Sequence, residues 1–249
     1  MKTKIIFLAL ITASILLTAT ATMIIPANDN AKDHAKAPEK SPVIGDNWDI
    51  ERVDFIHYVK PAKPGGGSSG GSCYKLMGVK WSTLPVNYQI NPSNPQGLSE
   101  TFVTTAISTS AETWDAATGR ELFNNAYAVN YSLHYGVYDG KNAIEFGDYG
   151  NSNVIAITSV WFSRKTKQIT EFDMLFNTNF NWGNGTANAS LMDLQDIATH
   201  ELGHAVGLND LYSGSCSEMT MYGYSTEGET KKTTLEQPDI TGLQTMYGA

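Results

Sequence analysis

Cysteine is nearly absent: the 249 residues contain two, Cys73 and Cys216. That excludes a scaffold stapled by several disulfides, but in an oxidising compartment two is the number for one bridge. Positive charge is also scarce. Lys and Arg total 17 against 25 Asp and Glu, a net charge of −8, which argues against nucleic acid as a partner. Beyond the first 25 residues no apolar run is long enough to span a bilayer as a helix. What is present is a hydrophobic fraction of 41% with 10% aromatics, enough for one packed domain of ordinary size plus extensions.

The N-terminus is basic at Met1-Lys2-Thr3-Lys4 and apolar from Ile5 to Leu17, with Ala19-Thr20-Ala21 as a small-x-small sequence. Residues 1–21 therefore read as a secretory signal peptide. The uncharged run continues to Ile25, so an uncleaved membrane anchor is the alternative. Either reading puts the rest of the chain outside the cytoplasm, secreted or held at the cell surface. Residues 22–72 read as a tether or pro-segment. Within them, 26–47 lack periodicity, and Trp48–Lys60 is apolar enough to add a strand or to be a pro-segment remnant. His57 there reads as structural. Gly65–Ser72 is a flexible Gly/Ser linker. The main domain is placed at 73–249.

Within that domain, Ser99 is a candidate N-cap, and Phe102, Val103, Ala106, Ile107, Ala111 and Trp114 recur at helical spacing up to Gly119. Val79–Ile90, Ala126–Tyr138, Asn142–Phe146, Val154–Phe162 and Gln168–Asn177 read as strands. A second helix is expected from Ser190, with Ser190 and Asp193 as a capping pair. It carries Thr199-His200-Glu201-Leu202-Gly203-His204. Residues four apart share a helix face, so His200 and His204 can point two imidazoles at one metal ion, with Glu201 beside them. Gly207 can break the helix, and Asp210 can then return a carboxylate as third ligand. Zinc accepts this N/N/O set and keeps one position for water.

The stretch His200–Asp210 resembles the metzincin metalloprotease signature, with Asp in the third-ligand place. Met219-Thr220-Met221-Tyr222-Gly223-Tyr224 resembles the Met-turn, and Leu235–Gly248 the last helix of the matrixins. The resemblance implies an α+β catalytic domain: a twisted, mostly parallel sheet with two long helices, then a small C-terminal subdomain with Met-turn and final helix. It implies a zinc endopeptidase acting on protein or peptide substrates, with His200, His204 and Asp210 as ligands, Glu201 as general base and acid, and Met221 as the turn methionine, Met219 being second choice. It places Tyr222 and Tyr224 at the substrate pocket, although Gly223 replaces the family's proline. It also implies that a cleft-edge strand, assigned to Val154–Phe162, binds substrate backbone. Cys73 has two readings, a disulfide with Cys216 or a cysteine switch on the metal. Asp148–Asn153 offers oxygens for Ca2+ or is a surface turn. Two other functions stand beside the endopeptidase: an inactive peptide-binding module on the same fold, and a zinc enzyme using Glu218 or Glu227 as third ligand. Asp210 in place of a third histidine removes one unit of positive charge, so the activity optimum is expected at higher pH.

Overall fold

The computed structural model describes residues 39–41, 49–61 and 72–249. The expected signal peptide or anchor, and all of the Gly/Ser linker but Ser72, lie outside the described residues. The first strands are β1 (Glu39–Ser41), β2 (Ile50–Val59) and β3 (Gln89–Ile90), followed by helix α1 (Glu100–Asp115). Next come β4 (Ala128–Val129), β5 (Ala143–Gly147), β6 (Val154–Ser163), β7 (Ile169–Asn177), β8 (Trp182–Gly183) and β9 (Met192–Asp193). Helix α2 (Leu194–Ala205), β10 (Tyr224–Ser225) and helix α3 (Gln237–Tyr247) complete the chain.

The main sheet runs β1-β2-β6-β7-β5-β3-β4, with β10 added beside β2. Pairs β3–β4, β3–β5, β5–β7 and β10–β2 are parallel; β1–β2, β2–β6 and β6–β7 are antiparallel. This is the mixed, mostly parallel α+β sheet that the sequence implied. All ten residues of β6 are buried, as its unbroken apolar and β-branched run requires of a strand covered on both faces.

Ser99 caps α1, its side chain accepting the Phe102 amide at 3.1 Å. The helix lays Trp114 against α2, where the indole N–H donates to Thr199 O at 2.7 Å. Helix α2 begins at Leu194, later than expected, because Met192–Asp193 pairs with Trp182–Gly183 as a strand. Its cap is Asp193, which accepts the Asp196 amide at 2.9 Å. Val79–Ile90 is strand only at its last two residues. Upstream, Lys80 and Val86 make isolated bridges to Gln168 and Phe123.

Within the N-terminal part, Ile50–Val59 adds a strand to the main sheet, the first of the two readings of Trp48–Lys60. Val154–Phe162, expected at a free cleft edge, is instead paired on both sides: β2 runs along it from Ile50↔Ser163 to Tyr58↔Val154 and β7 lies on its other edge.

Candidate metal centre

Helix α2 presents His200 and His204 one turn apart, and both are buried. The chain leaves the helix through Gly207, whose φ is +101° and where a Cβ would stand 2.4 Å from Val79 O. Backbone conformation and space therefore both require glycine here. That turn returns Asp210 to the two rings. Asp210 Oδ1 lies 3.3 Å from His200 Nε2 and 3.4 Å from His204 Nε2, and the two Nε2 atoms are 3.1 Å apart. Donors roughly 2.0–2.1 Å from a tetrahedral centre lie about 3.3 Å from one another. The three atoms form one face of such a tetrahedron.

The second ring nitrogens fix the tautomers. His200 Nδ1 donates to Thr220 O at 2.7 Å, and His204 Nδ1 to Leu208 O at 2.9 Å. On a neutral ring each Nε2 then offers a lone pair. Asp210 Oδ1 has no hydrogen-bond partner. Two imidazole nitrogens and one carboxylate oxygen thus converge; burial holds the His200 ring neutral, down to about 4, while the Asp210 carboxylate, against burial, draws the His204 ring upward. Only a cation satisfies this arrangement without cost, so the residues fit zinc.

Glu201 is fully buried beside the rings. Its Oε2 accepts Thr158 Oγ1–H at 2.6 Å, while Oε1 has no hydrogen-bond partner. Burial pushes this carboxyl up to about 7, against the opposing pull of His204 and Thr158.

Beneath α2, Met221 is buried and packs on Gly203. The Thr220 and Met221 amides donate to the Asp239 carboxylate at 2.9 and 3.3 Å. Because Thr220 O also receives His200 Nδ1–H, helix α3 orients a ring of the metal face through one carboxylate. Tyr222 and Tyr224 are buried, with ring centroids 5.6 Å apart. A Cβ on Gly223 would meet Tyr212 at 2.5 Å and Asp210 Oδ1 at 2.9 Å, which explains why glycine stands where proline was expected.

Cys73 and Cys216 are joined in a disulfide, so neither sulfur is free for the metal. Asp148–Asn153 folds as a turn in which Asp148 Oδ1 accepts from Gly150 N and Asn179 Nδ2. Among the described residues, both groups of three or more His, Cys, Asp or Glu able to share an ion include His200. The Glu218 Oε1 carboxylate oxygen faces Lys231 at 3.2 Å, and neither it nor Glu227 belongs to those groups.

Several contacts were not foreseen. The Tyr212 hydroxyl donates to Asp210 Oδ2 at 3.1 Å. His57, expected to be structural, reaches the site from β2: Nδ1 lies 3.3 Å from Glu201 Oε1, and the ring centroid lies 4.0 Å from that of His200. Burial, reinforced by His200, holds His57 well below the usual imidazole range, so this contact joins a neutral ring to a carboxyl group. Phe55 stacks on His204 at 4.1 Å with planes 10° apart. Nothing local in the sequence signals either contact, since both depend on where β2 pairs.

A family model described as Matrixin matches residues 80–248. The chain is 27% identical to neutrophil collagenase of Homo sapiens over 195 residues, 78% of this chain and 39% of that protein. It is 27% identical to hatching enzyme of Paracentrotus lividus over 175 residues, 69% of this chain and 27% of that protein. It is 36% identical to stromelysin-1 of Equus caballus over 77 residues, 30% of this chain and 15% of that protein. The chain thus spans less than half the length of these curated relatives. The family model begins at residue 80, whereas the alignment to neutrophil collagenase is too long to fit within 80–249 and extends upstream of it.

Proposed function

Because the chain belongs to the matrixin family of zinc metalloendopeptidases, we propose that it hydrolyses internal peptide bonds of protein substrates, with His200, His204 and Asp210 holding zinc and Glu201 moving the proton. The single observation that carries this reading is the triangle of two imidazole nitrogens and one carboxylate oxygen, 3.1–3.4 Å apart. Zinc held there supplies a Lewis acid, which polarises the scissile carbonyl and acidifies water. Glu201 Oε1 accepts the proton of the attacking water and returns it to the departing amine nitrogen. Burial raises this carboxyl above the ordinary range, the direction required of a group that both takes and returns a proton near neutral pH. Thr158 pins Oε2 and so aims Oε1. Met221 supports the helix from below, and Tyr222 and Tyr224 wall the side of the cleft at β10.

Secretion or surface anchoring is supported by the N-terminal sequence and by the disulfide, which needs an oxidising compartment. A calcium site at Asp148–Asn153 draws no support from its turn geometry. An inactive binding module is disfavoured, because Glu201 stands complete beside the ligands.

Zinc content and casein cleavage, assayed before and after limited proteolysis, test the reading. Wild type should hold one zinc per chain. Glu201→Gln should keep the zinc and lose about 10²–10⁴ in rate, and Asp210→Ala should lose the zinc. A chain without stoichiometric zinc, or a Glu201→Gln variant as active as wild type, overturns it.

A further inference from the structure

Away from the metal, residues 76–82, the turn after β6 and the end of α3 enclose a cavity of about 380 Å³, the size of a small ligand pocket. Leu76, Val79, Trp81 and Met246 supply apolar walls, and Lys80 and Lys167 add two ammonium groups. No Asp or Glu lines it. The two segments that carry the cations are paired. Lys80 bridges to Gln168, its amide donates to Lys167 O at 3.2 Å, and its carbonyl accepts the Ile169 amide at 2.9 Å. The walls rest on the turn that leads to Asp210. Val79 O would stand 2.4 Å, and Met246 Sδ 3.3 Å, from a Cβ on Gly207, and the Trp81 indole N–H donates to Ala205 O at 2.8 Å. The site is thus preformed, which lowers the cost of binding.

Lys167 stands at φ +59°, the one non-glycine residue in the left-handed region among the described residues. Glycine or asparagine would turn the chain there at less cost, so the turn itself does not require lysine. Arg164 and Lys165 precede it on the same turn, where Asp49 accepts their amides at 2.8 and 3.1 Å. In a chain of net charge −8, cations gathered beside apolar walls are complementary to an acidic ligand with an apolar side chain. The turn begins roughly 17 Å along β6 from Thr158, the residue bonded to Glu201. A peptide held at the metal spans that distance with about five extended residues.

We propose that this cavity is a second binding site for the protein substrate, taking a segment in which an apolar side chain lies next to Glu or Asp. The proposal rests on the endopeptidase reading above. The apolar side chain enters between Val79, Trp81 and Met246, and the carboxylate lies between Lys80 and Lys167. Lys80 Nζ donates to Met246 O at 2.6 Å, which holds the ammonium at the rim and leaves it further protons to donate. Long acidic substrates gain through tighter binding, because a second contact on the same chain raises the effective concentration of the first.

Binding is read by fluorescence anisotropy on zinc-loaded Glu201→Gln protein, which does not consume its ligand. The probe is a fluorescein-labelled peptide of alternating leucine and glutamate, and its leucine–lysine counterpart is the control. The glutamate peptide should bind at least tenfold more tightly than the control, less so with added salt. Lys80→Gln/Lys167→Gly should weaken it at least tenfold. Lys167→Gly alone, which relieves the left-handed turn, should weaken it at least threefold and decides if the double variant fails to fold. Cleavage is read with one fluorogenic core peptide, bare or carrying either extension at either end. The glutamate extension should raise kcat/KM at least tenfold over the lysine extension, through KM, and the double variant should bring that ratio near one. Equal binding of the two peptides, or variants that discriminate as wild type does, overturns the proposal; a core peptide still cleaved then leaves the endopeptidase reading standing. Binding of phosphatidylglycerol vesicles in place of the peptide assigns the cations to a membrane surface and also overturns it. Glutamate-selective binding without cleavage of any core peptide sinks the endopeptidase reading, and the substrate role with it.

Discussion

Gly203 and Met221 are in such close contact that a Cβ on the glycine would stand 2.2 Å from the methionine sulfur, with Trp114 Cζ2 at 2.7 Å on the same vector. The contact falls between the two histidines on α2, so it sets how high the helix sits over the loop that carries Met221. Gly203→Ala should therefore push the helix up. Overpacking of this kind costs roughly 1–3 kcal/mol. Zinc affinity, measured by competition with a chelator, should fall at least tenfold, while Gly214→Ala, where no atom lies within 4 Å of the added carbon, should leave it unchanged. Equal affinities in the two variants would show that the close packing does not hold the ligand geometry.

Asp210 is oriented by a residue it does not share a motif with. The Tyr212 hydroxyl donates to its Oδ2 and leaves Oδ1 turned toward the two histidine Nε2 atoms. Tyr212→Phe keeps the ring against Tyr224 and removes only that donor. Support of a ligand from its far side is typically worth 10–100-fold in metal affinity, so a loss in that range is expected, with thermal stability of the metal-free protein nearly unchanged. Asp210→His, if it retains zinc, should move the acid limb of kcat/KM to lower pH, because the site then gains one unit of positive charge. An unmoved limb would refute the electrostatic account.

What the sequence made legible was local. The spacing of His200, His204, Gly207 and Asp210 encodes one turn of helix, its breakage and a return, all within eleven residues, and α1 announces itself through Ser99 and a 3.6-residue stripe. The missed features depend on partners far along the chain. Ile50–Val59 alternates too weakly to reveal which edge it joins, and His57 meets Glu201 only because β2 registers against β6. The start of α2 moved because Met192–Asp193 found a partner in Trp182–Gly183, a pairing stronger than the local cap signal at Ser190.

The disulfide joins residues 143 positions apart. In the chain-entropy model a loop of that size contributes roughly 5 kcal/mol, so the double variant Cys73→Ser, Cys216→Ser should unfold at markedly lower temperature. Because both sulfurs are bonded to each other, thiol-reactive mercurials should release no activity from the intact chain. Activation by such reagents would mean that Cys73 reaches the metal after all.

Asp196 makes the fold less stable as pH rises toward neutrality. It lies on α2 with 1% exposure. Its Oδ1 accepts the Lys232 amide at 2.6 Å, and Oδ2 has no hydrogen-bond partner. Burial raises this carboxyl to about 7, with Lys232 pulling the other way. In the unfolded chain it titrates near the ordinary value of about 3.9. The folded state thus keeps a proton that the unfolded state has released. The associated stability is fully present below the unfolded value and is lost as pH rises through about 7. Asp196→Asn carries no titrating proton and still offers Lys232 an acceptor. The melting temperature of wild type, relative to this variant, should therefore fall by several degrees between pH 4.5 and pH 7.5, taking roughly 2–4 °C per kcal/mol for a domain of this size. Loss of zinc at acid pH affects both proteins and cancels in the difference. Parallel curves would show that Asp196 ionises at its ordinary pH despite its burial, and that Lys232 rather than desolvation governs it.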